Sequence, residues 1–111
     1  MSMETKIIKL VTGEELVCKL VEQYNTDKIV IGFKVIFPYR VVLMPTNGSN
    51  AAFDINYLAW MSSCSDYSFD ISLPSVIAMG NPVPEVEQMY LERYEEFVME
   101  LNSKKNESKT D

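Results

Sequence analysis

Histidine is missing from all 111 residues of this chain. With it go the commonest general base, the usual imidazole metal ligand and every Ser-His or Cys-His nucleophile. The two cysteines, Cys18 and Cys64, are too few for a disulfide framework or a metal knuckle; one buried and one partly exposed thiol are expected. No apolar run approaches the roughly 18 residues of a membrane-spanning helix, so no membrane partner is expected. Bases are scarce, ten against sixteen acids for a net charge of −6, and a strongly basic nucleic-acid footprint is absent. The opening MSMETK carries an acid and no apolar stretch of the kind a secretory signal needs. The expected location is the cytoplasm.

What is present is an ordinary globular balance, 47% hydrophobic and 23% charged, in a length suited to one domain with one modest core. Charge is unevenly placed. Residues 1–40 hold six bases against five acids, and residues 41–111 hold four against eleven, as expected if the acidic part is a solvated helix face.

The chain is organised around Lys6 to Tyr24, two apolar-rich runs separated by Thr12-Gly13, which reads as an antiparallel strand pair turning at Gly13. Asn25-Thr26-Asp27 is a polar hairpin tip, and Lys28 to Phe37 resumes a strand with Ile29, Ile31, Phe33, Val35 and Phe37 on one side. Gly32 marks a possible bend. Pro38, lacking an amide hydrogen, belongs at a bulge or an edge, after which Tyr39 to Met44 continues extended. PTNGSNA, residues 45–51, is the most loop-like segment. Phe53 to Met61 alternates again and places Tyr57 and Trp60 on opposite faces, with Trp60 expected at an interface or against a helix. After the polar SSCSD, Tyr67 to Leu73 is a strand with Tyr67, Phe69, Ile71 and Leu73 inward, and Val76 to Met79 is another, joined to it by so brief a link that the sheet must turn a corner.

Pro84 opens a helix in which Val86, Met89, Tyr90, Tyr94, Phe97, Val98 and Leu101 recur at steps of three and four. The expected plan is a mainly β fold, a small, strongly bent five-stranded barrel over residues 6–80 preceded by an extension at 1–5. A C-terminal helix at 81–101 forms a lid over one end, and 102–111 is a disordered tail. Asp66 and Asp70 flank a short strand without a partner base, so no enzyme and no cofactor are expected.

The order Thr12-Gly13-Glu14-Glu15, Pro38, Ala59-Trp60, Asp66-Tyr67-Ser68-Phe69-Asp70-Ile71, Val76-Ile77, Pro82 and Tyr90 or Tyr94 resembles Sm-like (LSm, Hfq-like) proteins. The likeness is strongest to short Sm-like proteins of cyanophages and marine viral metagenomes. It implies a strongly bent barrel that pairs strand edges into a homo-oligomeric ring of five to seven copies and binds single-stranded RNA, in the cytoplasm of an infected host cell. The family's RNA contacts fall here on Tyr24, on Asp27-Lys28 and on the turn at Ser72-Leu73-Pro74, so its Asp, Met-Asn and Arg-Gly signatures are replaced. The RNA-binding candidates are Tyr24, Asn25, Lys28, Ser72 and Ser75: a stacking ring, an amide, an ammonium and two hydroxyls. The acidity and the replaced signatures keep a second reading open, a protein-binding adapter or virion-associated module with the same barrel and no RNA role.

Overall fold

The computed structural model describes residues 3–45 and 53–109. Among them, six strands and one long helix follow in order. They are β1 (Glu4–Leu10), β2 (Glu15–Tyr24), β3 (Val30–Pro45), β4 (Phe53–Ala59), β5 (Ser68–Ser72), β6 (Val76–Gly80) and α1 (Pro84–Lys109), with a 3-10 turn at Leu73–Ser75. The fold is mainly β with a C-terminal helix, as the alternation implies. Six strands are present where five are expected, because β4 and β5 both pair along the far edge of β3, whose runs on either side of Pro38 are one continuous strand. The extension at 1–5 is already strand from Glu4. The expected tail is helical as far as Lys109, so the helix does not stop at 101. The loop expected at 45–51 lies, beyond Pro45, outside the described residues.

All pairings are antiparallel, in the order β4-β3-β2-β1-β6, and β5 also lies on β3. β2 occupies one edge of β3. On the other edge β5 covers Gly32 to Ile36 and β4 covers Tyr39 to Pro45. A flat sheet would set β5 and β6 four strand spacings apart, about 19 Å at about 4.8 Å each. The three residues of the 3-10 turn rise only about 6 Å. The sheet must therefore curl until its two ends nearly meet, and the short link marks that closure. Inside the curl, Ile8, Leu10, Leu16, Cys18 and Val35 are buried, with Leu20, Trp60, Phe69, Ile71 and Val76 packed on them. Burying such side chains stabilises the fold by about 1.5–3 kcal/mol each.

The bend has a local cause. Val17 faces Tyr39 and Lys19 faces Ile36, so Cys18 stands opposite two residues, Phe37 and Pro38. This is a β-bulge, with Phe37 at φ 52° and Pro38 contributing no amide hydrogen. The extra residue reverses which face each later side chain takes. Val35 points into the curl, whereas Tyr39, opposite Val17, points outward toward the helix. The same shift occurs between Gln23 and Tyr24, opposite Ile31. Ile29 and Ile31, expected beside Phe33 and Val35, are consequently exposed, and Tyr67 and Leu73, at the ends of β5, are exposed as well.

α1 begins at Pro84 with Glu85 and Glu87 in its first turn, where the positive end of the helix dipole favours them. It lies on the outer face of the curl and is not a lid over its end. Val17, Val86 and Tyr90 are buried there, with Phe37, Tyr39, Tyr57 and Met89 around them. Phe37 stacks on Phe97 at 4.5 Å and meets Tyr39 edge-on at 5.1 Å. At the centre, the Tyr90 hydroxyl accepts from the Lys19 amide at 3.0 Å and donates to the Ile36 carbonyl at 2.9 Å. These two residues face each other where the bulge parts the ladder. Burial pushes the Tyr90 phenol well above its ordinary range.

Gly32 serves a different need. A Cβ there would lie 2.6 Å from the Ile71 carbonyl oxygen, so only glycine admits β5 at this distance.

Tyr90→Phe keeps the ring and removes the bridging oxygen. A loss of about 1–3 kcal/mol is expected as a lower urea midpoint at unchanged slope. Gly32→Ala must displace β5, and a comparable loss of about 1–3 kcal/mol is expected in the same measurement.

Candidate nucleic-acid interface

The β2–β3 hairpin brings Tyr24, Asn25 and Lys28 together at one tip. Asn25 holds the tip's shape: its side-chain oxygen accepts from the Asp27 amide at 2.8 Å and the Ile29 amide at 3.1 Å. That is an Asx turn, and it commits the Asn25 oxygen to the backbone. Lys28 sits at φ 63°, its amide donates to the Asn25 carbonyl at 3.0 Å, and its ammonium makes no ion pair among the described residues. Tyr24 is 53% exposed, and its hydroxyl donates to the Glu22 carboxylate. That hydrogen bond, more than burial, raises the phenol above its usual value. Of the three tip residues, Tyr24 offers a ring and Lys28 a charge, while Asn25 serves mainly to fold the loop.

Ser72 and Ser75 flank the 3-10 turn, and Ser75 Oγ donates to the Ser72 carbonyl at 2.5 Å. Ser72 faces Gly32, which faces Gln23, so Ser72 occupies the same end of β3 as the tip, with β3 between them. Ser75 points elsewhere in the chain's path, its carbonyl accepting from Val11 at 2.9 Å beside the β1–β2 turn. Among the described residues no hydrogen bond joins either serine to the tip. Within one subunit the five candidates are thus two groups, one at the tip and one at the turn.

The strand beside them is nearly charge-neutral by pairing. Lys34 Nζ and Gln23 Nε2 both donate to Asp70 Oδ1 at 3.0 Å. The Lys34 bond first, and the Gln23 bond second, hold the Asp70 carboxyl below its ordinary value. Asp70 therefore acts as a cross-strand anchor, and Asp66 lies apart from it, accepting from the Cys64 thiol at 3.6 Å. Cys18 is buried and its thiol pushed up to about 12 by desolvation, whereas Cys64 is half-buried, the pair of environments expected. Trp60 and Tyr57 do take opposite faces. Trp60 packs inside the curl, edge-on to Phe69 at 5.8 Å, with its indole donating to Glu14 at 3.2 Å. Tyr57 is the one that meets the helix side, with Arg93 6.0 Å from its ring.

Sequence reasoning missed Glu22. Together with Tyr24 it borders a cavity of about 250 Å3, walled by Met3, Leu20 and Met79, with Lys6 also lining it. The only signal was the i, i+2 spacing of Glu22 and Tyr24 along a strand, which says nothing of the β1 and β6 residues that complete the space. Lys6 is held by Asn81 at 2.8 Å and Glu4 at 3.3 Å. Among the described residues no group of three or more acidic or cysteine side chains could hold a metal ion, and no helix is long and apolar enough to cross a membrane.

The sheet also has two unfinished borders. Among the described residues β6 pairs only with β1, and β4 and β5 pair only with β3. β6 exposes Ile77 and Met79, β4 exposes Leu58, and the turn between β5 and β6 exposes Leu73. No family model matches the chain, and no curated protein matches it.

Lys34→Ala should return the Asp70 titration upward toward 3.8, read by carboxyl NMR. Because the folded value is the lower one, the pair's contribution is present above the unfolded pKa. It is lost as pH falls through the folded value, and Lys34→Ala should flatten that acid limb of the stability curve.

Proposed function

We propose that the chain is a non-catalytic subunit of a homo-oligomeric ring of the Sm-like type, cytoplasmic and of phage kind, that binds single-stranded RNA. The observation that carries the reading is the pair of unfinished borders on a strongly curled sheet. An unpaired strand presents a row of free amides and carbonyls that templates another strand, and two different borders of one sheet make a head-to-tail contact that a rotation can close. Exposed Ile77 and Met79 on β6 and Leu58 on β4 add apolar area to the contact.

The RNA part rests on the tip. One stacking ring and one ammonium are weak alone, since a base on an aromatic is worth about 1–3 kcal/mol. Five to seven equivalent tips around one axis multiply them through effective concentration. In a ring, the Ser72–Ser75 turn of one copy also lies at the border where the next copy joins, beside the tips.

A second reading, a protein-binding adapter of the same architecture, is favoured by one observation. The cation nearest the tip on the sheet, Lys34, is neutralised by Asp70, which leaves Lys28 to meet phosphate.

Light scattering should give a mass of five to seven subunits, and Ile77→Lys, which charges a border strand, should reduce it to that of a folded monomer. A monomer from the unaltered chain would end the ring reading. A-rich or U-rich strands should bind with an affinity that falls as salt rises, and Lys28→Ala or Tyr24→Ala should weaken it; absence of binding at low salt leaves the adapter.

A further inference from the structure

A carboxylate is an odd neighbour for a residue expected to hold RNA, and its position gives it a use. The cavity beside Tyr24 opens at the end of the curl's inner face, since Leu20 packs on the inner core and Met79 faces Ile8. Its walls at Met3, Leu20, Val21, Met79 and the Tyr24 ring are apolar, and its polar groups are Glu22, Glu4 and Lys6, the Lys6 ammonium using two of its three donors on Glu4 and Asn81. The volume of about 250 Å3 admits a flat heterocycle. Tyr24 is restrained by its hydrogen bond to Glu22, so ring and carboxylate keep a fixed relation.

The polar pattern selects among bases. An ionised carboxylate only accepts hydrogen bonds, and an ammonium only donates them. On its Watson–Crick edge guanine presents two adjacent donors, N1–H and the N2 amino group, followed by one acceptor, O6. Adenine and cytosine each set a single amino donor beside a ring-nitrogen acceptor, and uracil has one donor between two carbonyl oxygens. Those acceptors would face the Glu22 carboxylate unpaired, which is costly in an apolar recess. Single-stranded RNA is read on this edge by side chains of this kind.

We propose that the recess bounded by Tyr24, Glu22, Lys6, Leu20 and Met79 is a guanine-selective base site, with Glu22 reading N1–H and N2 and Lys6 supplying the donor for O6. The site rests on the RNA-binding reading above and adds to it a base preference. Tyr24 supplies the stacking surface, and Glu22 is the specificity-determining residue.

The test uses the whole chain in its native assembly and short fluorescein-labelled strands: hexa-adenylate, the same strand with one central guanine, and the same strand with inosine, which keeps N1–H and lacks the amino group. The guanine strand should bind about tenfold more tightly than the adenine strand, the size of one good bidentate base contact, with inosine between. Glu22→Gln still accepts from the Tyr24 hydroxyl. It should abolish the guanine preference while leaving particle mass and melting midpoint unchanged. Equal binding of guanine and adenine strands, or a preference that survives Glu22→Gln, overturns the guanine site and leaves RNA binding standing. Failure of all three strands to bind overturns both.

Discussion

The hydroxyl of Tyr90 sits where a bulge between β2 and β3 keeps the sheet from completing its own ladder. The Phe37–Pro38 bulge separates Lys19 from Ile36 and would leave a part-buried amide and a part-buried carbonyl without partners. The phenol satisfies both at once, at 3.0 and 2.9 Å. An orphaned pair in that position would cost a sizeable share of the stability of a domain this small. The helix and the bend are thus a single device. The bulge turns Phe37 and Tyr39 outward to form an aromatic face, and the helix covers that face only because Tyr90 has a slot to enter.

That arrangement gives the sheet two unlike cores. The inner one, around Ile8, Leu16, Cys18 and Val35, is aliphatic and shaped by curvature. The outer one, around Val17, Phe37, Tyr39 and Tyr90, is aromatic, and its cations are placed over rings: Lys19 lies 5.4 Å from Tyr94, and Arg93 lies 5.4 Å from Tyr39. Cations used in this way stay with the helix. They do not contribute to a positive surface elsewhere, which is why the hairpin tip depends on Lys28 and the recess on Lys6. Curvature also decides what the border strands offer. It carries β5 and β6 toward each other without pairing them, so their free edges and the turn that carries Ser72 lie in the same region.

Much of this architecture is legible in the periodicity of apolar residues and in two punctuating residues. Gly13 takes φ 92° at the expected turn, Pro38 falls in a bulge, and the run from Val86 to Leu101 is one face of a helix. The errors cluster where an extra residue enters a strand. Alternation alone puts Ile29, Ile31 and Phe37 in phase with Val35. A bulge shifts that phase by one, and periodicity carries no mark of where the shift occurs until a partner strand fixes the register. The end of the helix was misplaced for another reason. Residues 102–109 lack the apolar positions that signal a packed face, yet a helix already nucleated by packing extends at small cost.

The sequence by itself determined the class of fold, the strand and helix segments, the hairpin tip and the exclusion of histidine chemistry, because those follow from local periodicity and residue type. Only the tertiary structure decided that the helix lies on the outer face, that Asp70 neutralises Lys34, and that Glu22, Lys6 and Met79 meet beside Tyr24. Each of these joins residues distant along the chain, and such meetings are set by register and curvature, which depend on the whole sheet at once.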